Sequence, residues 1–261
     1  MKNPPIELTC ETDYFSSRLI DDILVFSLKG NSLLNSTLIK FKEMVLDFFK
    51  HAEGHPRVRI VVLMHGPRKP RREEYLSFFD MVASSRLSEA TVMRLYRAID
   101  QIILHILSSD LFYIAANGGE ILPMTIGVSL ACDYRILGDN TAIQNPSLEV
   151  GLAPKGGAPL FLSHFLAKGK IYDLMLSNNN ITAQEAITLG LADRSVPMET
   201  FEEDVMKIAA RFAALPPSSL RLAKRLINFP VVGVESYLEY ENKQLLRAMN
   251  QARMMGQTRI E

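Results

Sequence analysis

Cysteine is scarce in this chain: 261 residues hold two, Cys10 and Cys132, far apart. Such a pair makes neither a disulfide framework nor a zinc-ligand set, so a reducing, cytoplasmic compartment is expected. Net charge is missing as well, with 29 basic side chains against 29 acidic. Without a basic surplus there is no global field for nucleic acid or an anionic membrane, and only local basic patches stay open. Long apolar runs are also lacking. The most apolar window, Leu111 to Leu137, is broken by Asn117, Glu120, Pro123, Asp133 and Arg135, whereas a span needs about 20 nearly uninterrupted apolar residues. The N-terminal stretch MKNPPIELTCETDYF has no apolar segment of the kind a secretory signal needs. A soluble protein is expected, with no membrane and no nucleic-acid partner.

What is present is enough for a core: 48% of residues are hydrophobic and 22% charged. Ile23 to Leu28 and Arg59 to Met64 are short runs rich in β-formers, predicted as strands, the second buried and parallel. Phe112 to Ala116 and Tyr134 to Leu137 are predicted as two more. Between them, Ser36 to Phe49 and Ser88 to Leu107 repeat apolar residues at helical spacing, and Gly54 with Pro56 closes the first. His65 to Glu74 reads as a polar, strongly basic stretch. Alternating strands and helices imply parallel strands joined by right-handed crossovers. Beyond about residue 198 the pattern is helical: Phe201 to Leu215, Ser218 to Ile227, and Glu235 to Met255, parted by Pro216, Pro217, Pro230 and Gly233. The division predicted is an α/β core over 1–197 and a helical region over 198–261, packed on that core or on a neighbouring subunit.

Gln144 to Pro197 carries an ordered set of residues. Pro146, Gly151, Pro154, Gly156 and Gly157 come first, then Gly169, Lys170, Leu174, Leu176, Ala183, Glu185, Ala186, Gly190, Leu191, Val196 and Pro197. The set resembles the crotonase (enoyl-CoA hydratase/isomerase) superfamily, in which a QPE-x-x-LG-x-x-P-x-GG loop opens a helix. A GKA-x-x-LLLTG-x-x-x-x-A-x-EA-x-x-x-GLV-x-x-VVP run follows it there. Upstream, Asn31 with Leu34 and Asn35 resembles that family's N-A-L-N helix entry, Arg59 to Met64 its VR-x-VVLTG strand, and Ala131 to Arg135 its A-C-D-x-R-I corner. The likeness covers roughly Ile23 to Pro197. It implies a crotonase-like fold, with a ββα spiral core and a C-terminal helical trimerisation region, assembled as homotrimers or pairs of trimers. Several matches have plain structural uses as well. Gly156 and Gly157 can turn a loop, Thr182 with Glu185 forms a capping box, and Leu174 and Leu176 are expected in the core. Fold alone does not supply function.

The resemblance also implies a chemistry: an acyl-CoA thioester whose carbonyl oxygen, turning negative in an enolate, is held by two backbone N–H groups. Coenzyme A then enters as part of the substrate, with no tightly bound cofactor and no metal. Preorganised donors in a dry site stabilise such developing charge strongly. One donor belongs to a triple-glycine turn at a buried helix start, which falls here on Pro123, Met124 and Thr125. Pro123 suits the first helical position, and Met124 N–H becomes the candidate donor. A helix that merely starts in the core is the other reading. The second donor loop is replaced by His65 to Phe79, where Arg68, Lys69, Arg71 and Arg72 could grip the phosphates of coenzyme A. A solvated basic loop, partly balanced by Glu73 and Glu74, is the favoured alternative.

Acid–base groups depart further. The family's hydratases use two glutamates, whose positions fall on Gly127 and Ser147, and a third carboxylate position falls on Lys155. Paired-glutamate hydration is therefore not expected. Substitutes are Glu149, on the same side as Ser147 if that segment is extended, Glu120 before the helix, and Lys155 in the glycine loop. Ser147, Asn145 and Thr125 are further pocket candidates, and His65 lies at a strand's C-terminal end, where parallel sheets bind ligands. Each has a structural reading too. The sequence points to an enzyme acting through an enolate, by isomerisation, decarboxylation or C–C bond chemistry. A catalytically inactive protein of the same fold, kept for CoA binding or as a structural partner, is the alternative.

Overall fold

The computed structural model describes residues 7–30, 32–65, 71–84, 86–152, 155–177, 179–229 and 233–258. Its main sheet begins with β1 (Cys10–Glu11), β2 (Phe15–Ile20) and β3 (Ile23–Leu28). Those three are antiparallel, and Asp21, with φ of 52°, takes the left-handed turn between β2 and β3. From β3 onward every pairing is parallel: β4 (Ile60–His65), β5 (Phe112–Asn117), β7 (Tyr134–Gly138) and β10 (Arg194–Val196) follow in that order across the sheet. The predicted parallel core is present, and the antiparallel edge is an addition the alternating pattern did not show. Three two-residue strands, β6 (Glu120–Ile121), β8 (Ala142–Ile143) and β9 (Ile181–Thr182), form a second small sheet.

The parallel strands are apolar throughout because both of their faces are buried. Leu24, Phe26, Val61, Leu63, Tyr113 and Ala115 face one core, and Ile23, Val25, Ile60, Val62, Ile114 and Ala116 face the other, the period-two alternation of a pleated strand. The first core is covered by α2 (Ile39–Glu53) and α4 (Glu89–Ser108), preceded by the short α1 (Ser32–Asn35). The second is covered by α9 (Phe201–Ala213) through Phe201, Val205 and Ala209. Helix α2 starts later than predicted, with Leu38 as N-cap, and ends on Gly54.

Two expectations are corrected here. The basic stretch is not a loop to Glu74: α3 (Arg71–Ala83) starts at Arg71 and buries Tyr75, Phe78, Phe79 and Val82. That i, i+3, i+4, i+7 stripe supplies the driving force for the helix, and the flanking charges concealed it. Leu176 is not core either, since it is 61% exposed just beyond α7 (Lys168–Met175). The remaining helices are α5 (Pro123–Ala131), α6 (Ala158–Ser163), α8 (Ala183–Thr188), α10 (Pro217–Asn228) and α11 (Val234–Thr258). The Thr182–Glu185 capping box of α8 forms as expected. Helix α11 lies on this chain's own core, burying Leu238, Leu245 and Met249. On α10, Leu222, Leu226 and Ile227 are exposed, as is Phe229 at its C-cap. No helix of the described residues is long and apolar enough to cross a membrane.

Candidate functional site

The site is built around the start of α5. Leu122 caps this helix without a side-chain hydrogen bond, and Pro123 takes the first helical position. Ile126 N–H donates to Leu122 O at 3.0 Å, which leaves the leading amides of Met124 and Thr125. Among the described residues neither has an acceptor. Orphan amides at a helix N-terminus carry partial positive charge and suit an anionic oxygen.

Met124 and Thr125 also line a cavity of about 110 Å³. Its walls are mostly apolar, from Phe26, Phe41, Val45, Phe49, Leu95 and Ile99, with Ser36 and other polar residues among them. His65 at the end of β4, Glu74 from α3, Asn117 at the end of β5, and Ser129 from α5 all reach it. Placing His65 and Asn117 side by side is a consequence of β4–β5 register, which pairs those two residues. Glu74, Asn117 and Ser129 were missed by sequence reasoning. The α3 stripe would have placed Glu74 on the first turn of a helix, but nothing local marks the other two.

Both positions that carry glutamates in the resembling family are closed. At Gly127 an added Cβ would lie 2.7 Å from Gly156 Cα and from its carbonyl carbon, so the glycine loop packs directly on the helix backbone and no side chain fits. That loop needs glycine on its own account: Gly156 and Gly157 have φ of 112° and 74°. Ser147 is fully buried and shares a 2.8 Å hydrogen bond with Tyr75 Oη. Burial pushes the Tyr75 phenol well above its usual range, with Ser147 opposing, so this pair stays neutral.

The condition for Ser147 and Glu149 to share a side, an extended segment, is not met: Pro146–Val150 is a 3₁₀ turn ended by Gly151 at φ 69°. Ser147 therefore points in while Glu149 points out and pairs with Arg72 at 2.6 Å. Arg72 is thus not a free phosphate ligand. Its N–H also approaches Glu120 Oε2 at 3.4 Å, and Glu120 Oε1 accepts from Gln144 Nε2 at 3.2 Å. Glu120, Glu149 and Arg72 thus form a partly exposed cluster outside the cavity lining, with a carboxylate at the N-terminus of α3. Asn145 donates to Met175 O at 2.8 Å. Arg68 and Lys69 lie outside the described residues, as does the Arg71 side chain.

Lys155 is the clearest correction. It is 3% exposed and does not face the cavity. Its ammonium pairs with Asp100 of α4 and, at 2.7 Å, with Glu241 of α11. Glu241 also accepts the amides of Gly156 and Gly157 at 3.1 and 2.9 Å, and Asn242 donates to Asp100 at 2.6 Å. Asp100 is raised above the usual carboxylate range, by burial first, with Lys155 pulling the other way. A buried ammonium needs this many partners, so Lys155 is a clamp: it and Glu241 hold the glycine loop between α4 and α11.

A parallel core, a small second sheet and a glycine loop seated on a buried helix start define a crotonase-like α/β fold. The sequence profile of the enoyl-CoA hydratase/isomerase family matches residues 21–259, and the chain belongs to that family. It is 30% identical over 115 residues to a probable mitochondrial enoyl-CoA hydratase of Dictyostelium discoideum, covering 44% of this chain and 42% of that protein. It is 25% identical over 199 residues to a crotonyl-CoA hydratase of Syntrophomonas wolfei, covering 76% of this chain and 73% of the relative. Among solved structures, an enoyl-CoA hydratase from Bacillus halodurans superposes with a TM-score of 0.78 at 19% identity, over 92% of this chain and 97% of that one. One from Bacillus anthracis gives 0.72 at 22% identity, over 89% and 90%.

Proposed function

We propose that this protein binds an acyl-CoA thioester and holds its carbonyl oxygen, as an enolate forms, on the leading amides of α5. The observation that carries the reading is the pair of amides at Met124 and Thr125, without acceptors among the described residues, on two residues that line a cavity with largely apolar walls. The reaction is isomerisation, decarboxylation or C–C bond chemistry rather than paired-glutamate hydration, because Gly127 is closed by backbone and Ser147 is occupied by Tyr75. Glu74 and His65 border the same cavity as titratable groups, whereas Glu120 and Glu149 are gathered around Arg72 outside its lining. Coenzyme A enters with the substrate, its phosphates taken by the basic segment before α3. Calorimetric titration with acetyl-CoA, butyryl-CoA and free coenzyme A, followed by a turnover panel, tests this. Binding of the thioesters with isomerase, decarboxylase or C–C bond activity is expected, and robust hydration of crotonyl-CoA that survives changes at Glu120 and Glu149 refutes it.

One arrangement favours a second reading, a catalytically inactive member retained for CoA binding or as a structural partner: the side chains at all three motif carboxylate positions are absent or engaged internally. Thioester binding without turnover selects it. A homotrimer or dimer of trimers, with the exposed apolar face of α10 in the interface, and a reducing cytoplasmic setting, in which Cys10 and Cys132 stay free thiols, belong to the same proposal.

A further inference from the structure

A second pocket lies between α5, α6, α7 and the small sheet. Ile126, Leu162, Leu174 and Ile181 give it apolar walls, and it shares no lining residue with the cavity at Met124 and Thr125. Its volume is about 50 Å³. Three carboxamide side chains, Gln144, Asn145 and Asn179, also line it, and among the described residues no charged side chain does. Gln144 Oε1 and Asn145 Oδ1 are buried and have no hydrogen-bond partner among the described residues, although buried acceptors are nearly always paired. Turning either amide over does not help. Gln144 Nε2 donates to a Glu120 carboxylate oxygen at 3.2 Å, and Asn145 Nδ2 donates to Met175 O at 2.8 Å, so a flip would set oxygen against oxygen. Both open positions are therefore acceptors.

Two acceptors on one small pocket call for two polar hydrogens on one group. A hydroxyl brings one. An ammonium brings three, but its charge would be buried among neutral partners, which is costly. One water brings two and needs about 10–15 Å³. That leaves most of the space against leucine and isoleucine side chains, where further waters find no partners. The NH2 of a primary carboxamide is neutral, carries two polar hydrogens and is borne on carbon, which suits the apolar walls. We infer that this pocket is a second binding site, for a small molecule bearing a primary carboxamide, whose NH2 donates to Gln144 Oε1 and Asn145 Oδ1. The ligand's carbonyl accepts from the amide of Asn179, an exposed residue, and so faces the surface. With no residue in common with the thioester cavity, the site goes beyond the thioester reading and does not depend on it.

Ligand-observed NMR titrations of the intact protein compare acetamide with acetone, which has nearly the same size and shape but no N–H, and crystals are soaked in each. Acetamide should bind about tenfold more tightly than acetone, and the preference should fall to about one in Asn145→Leu. In the soaked crystal its nitrogen should lie within hydrogen-bond distance of both acceptors. Equal affinities of the wild-type protein for the two probes overturn the inference, and that comparison stands even if the variant fails to fold. Water only in the pocket, or acetamide bound elsewhere, overturns it as well. So does occupancy in the crystal without binding in solution, which is binding at crystal concentration only. Failure of acyl-CoA to bind refutes the thioester reading alone.

Discussion

Alanine at position 127 would probe how the glycine loop closes the start of α5. The new Cβ would lie 2.7 Å from Gly156 Cα and carbonyl carbon, whereas ordinary contact begins near 3.4 Å. The Gly156 carbonyl oxygen lies closer still, so the two backbones must part by more than about 0.7 Å. Neither yields easily. Helix α5 is embedded in the core through Met124, Leu130 and Ala131, and the loop is held by Glu241 on two amides and by buried Lys155. Overpacking of this kind costs about 1–3 kcal/mol, and each loop bond to a charged group that breaks adds about 1.5–3 kcal/mol. Alanine's better helix propensity returns about 1 kcal/mol. The net expectation is a loss of about 2 kcal/mol or more, read as a lower urea midpoint at unchanged slope. In a double-mutant cycle with Glu241→Gln the penalty should shrink, because a loosened loop can move aside. Gly127→Glu, which would put a carboxylate back at the motif position, should be at least as destabilising and should gain no hydratase activity. A Gly127→Ala protein as stable as the wild type would refute the reasoning.

Lys155→Met leaves Asp100 and Glu241 buried without their cation, and a loss of about 3–5 kcal/mol is expected in chemical denaturation; a change under about 1 kcal/mol would contradict the clamp. Tyr75→Phe strands the Ser147 hydroxyl in a buried site, at a cost of about 1–3 kcal/mol, and Tyr75→Phe with Ser147→Ala should recover part of it. The Asp100 carboxyl, raised in the folded state chiefly by burial, holds its proton more tightly than in the unfolded chain. Its contribution is therefore present below the unfolded value and is lost as pH rises through the folded one. Unfolding free energies of the wild type and Asp100→Asn, compared from about pH 4 to 8, should shift in favour of the variant as pH rises; a gap independent of pH would refute this.

The elements that the sequence alone determined are those in which one face of a long, periodic segment is buried. Strand β3 falls where Ile23 to Leu28 predicts it, α4 lies within a residue of its predicted limits, and the Thr182–Glu185 box starts α8. Such signals are local, because burying a stripe or a strand face rewards a fixed spacing whatever lies opposite. The start of α5 was legible for the same reason, since Pro123 has one favourable helical position. Two-residue strands such as β6, β8 and β9 are too short to carry a period, and α3 was concealed by charges before its Tyr75–Val82 stripe.

Which side chains meet was decided only by tertiary structure. Lys155 looked like a pocket ammonium beside glycines, yet its partners lie 55 and 86 residues away, on α4 and α11. Ser147 looked like a substrate contact, yet a tyrosine 72 residues distant takes its hydroxyl. Gly127 read as a missing glutamate, and three-dimensional packing shows a position that admits no side chain. Burial favours a face without naming its partner; charge pairing, hydrogen bonding and close backbone contact depend on the register at which separate faces are brought together.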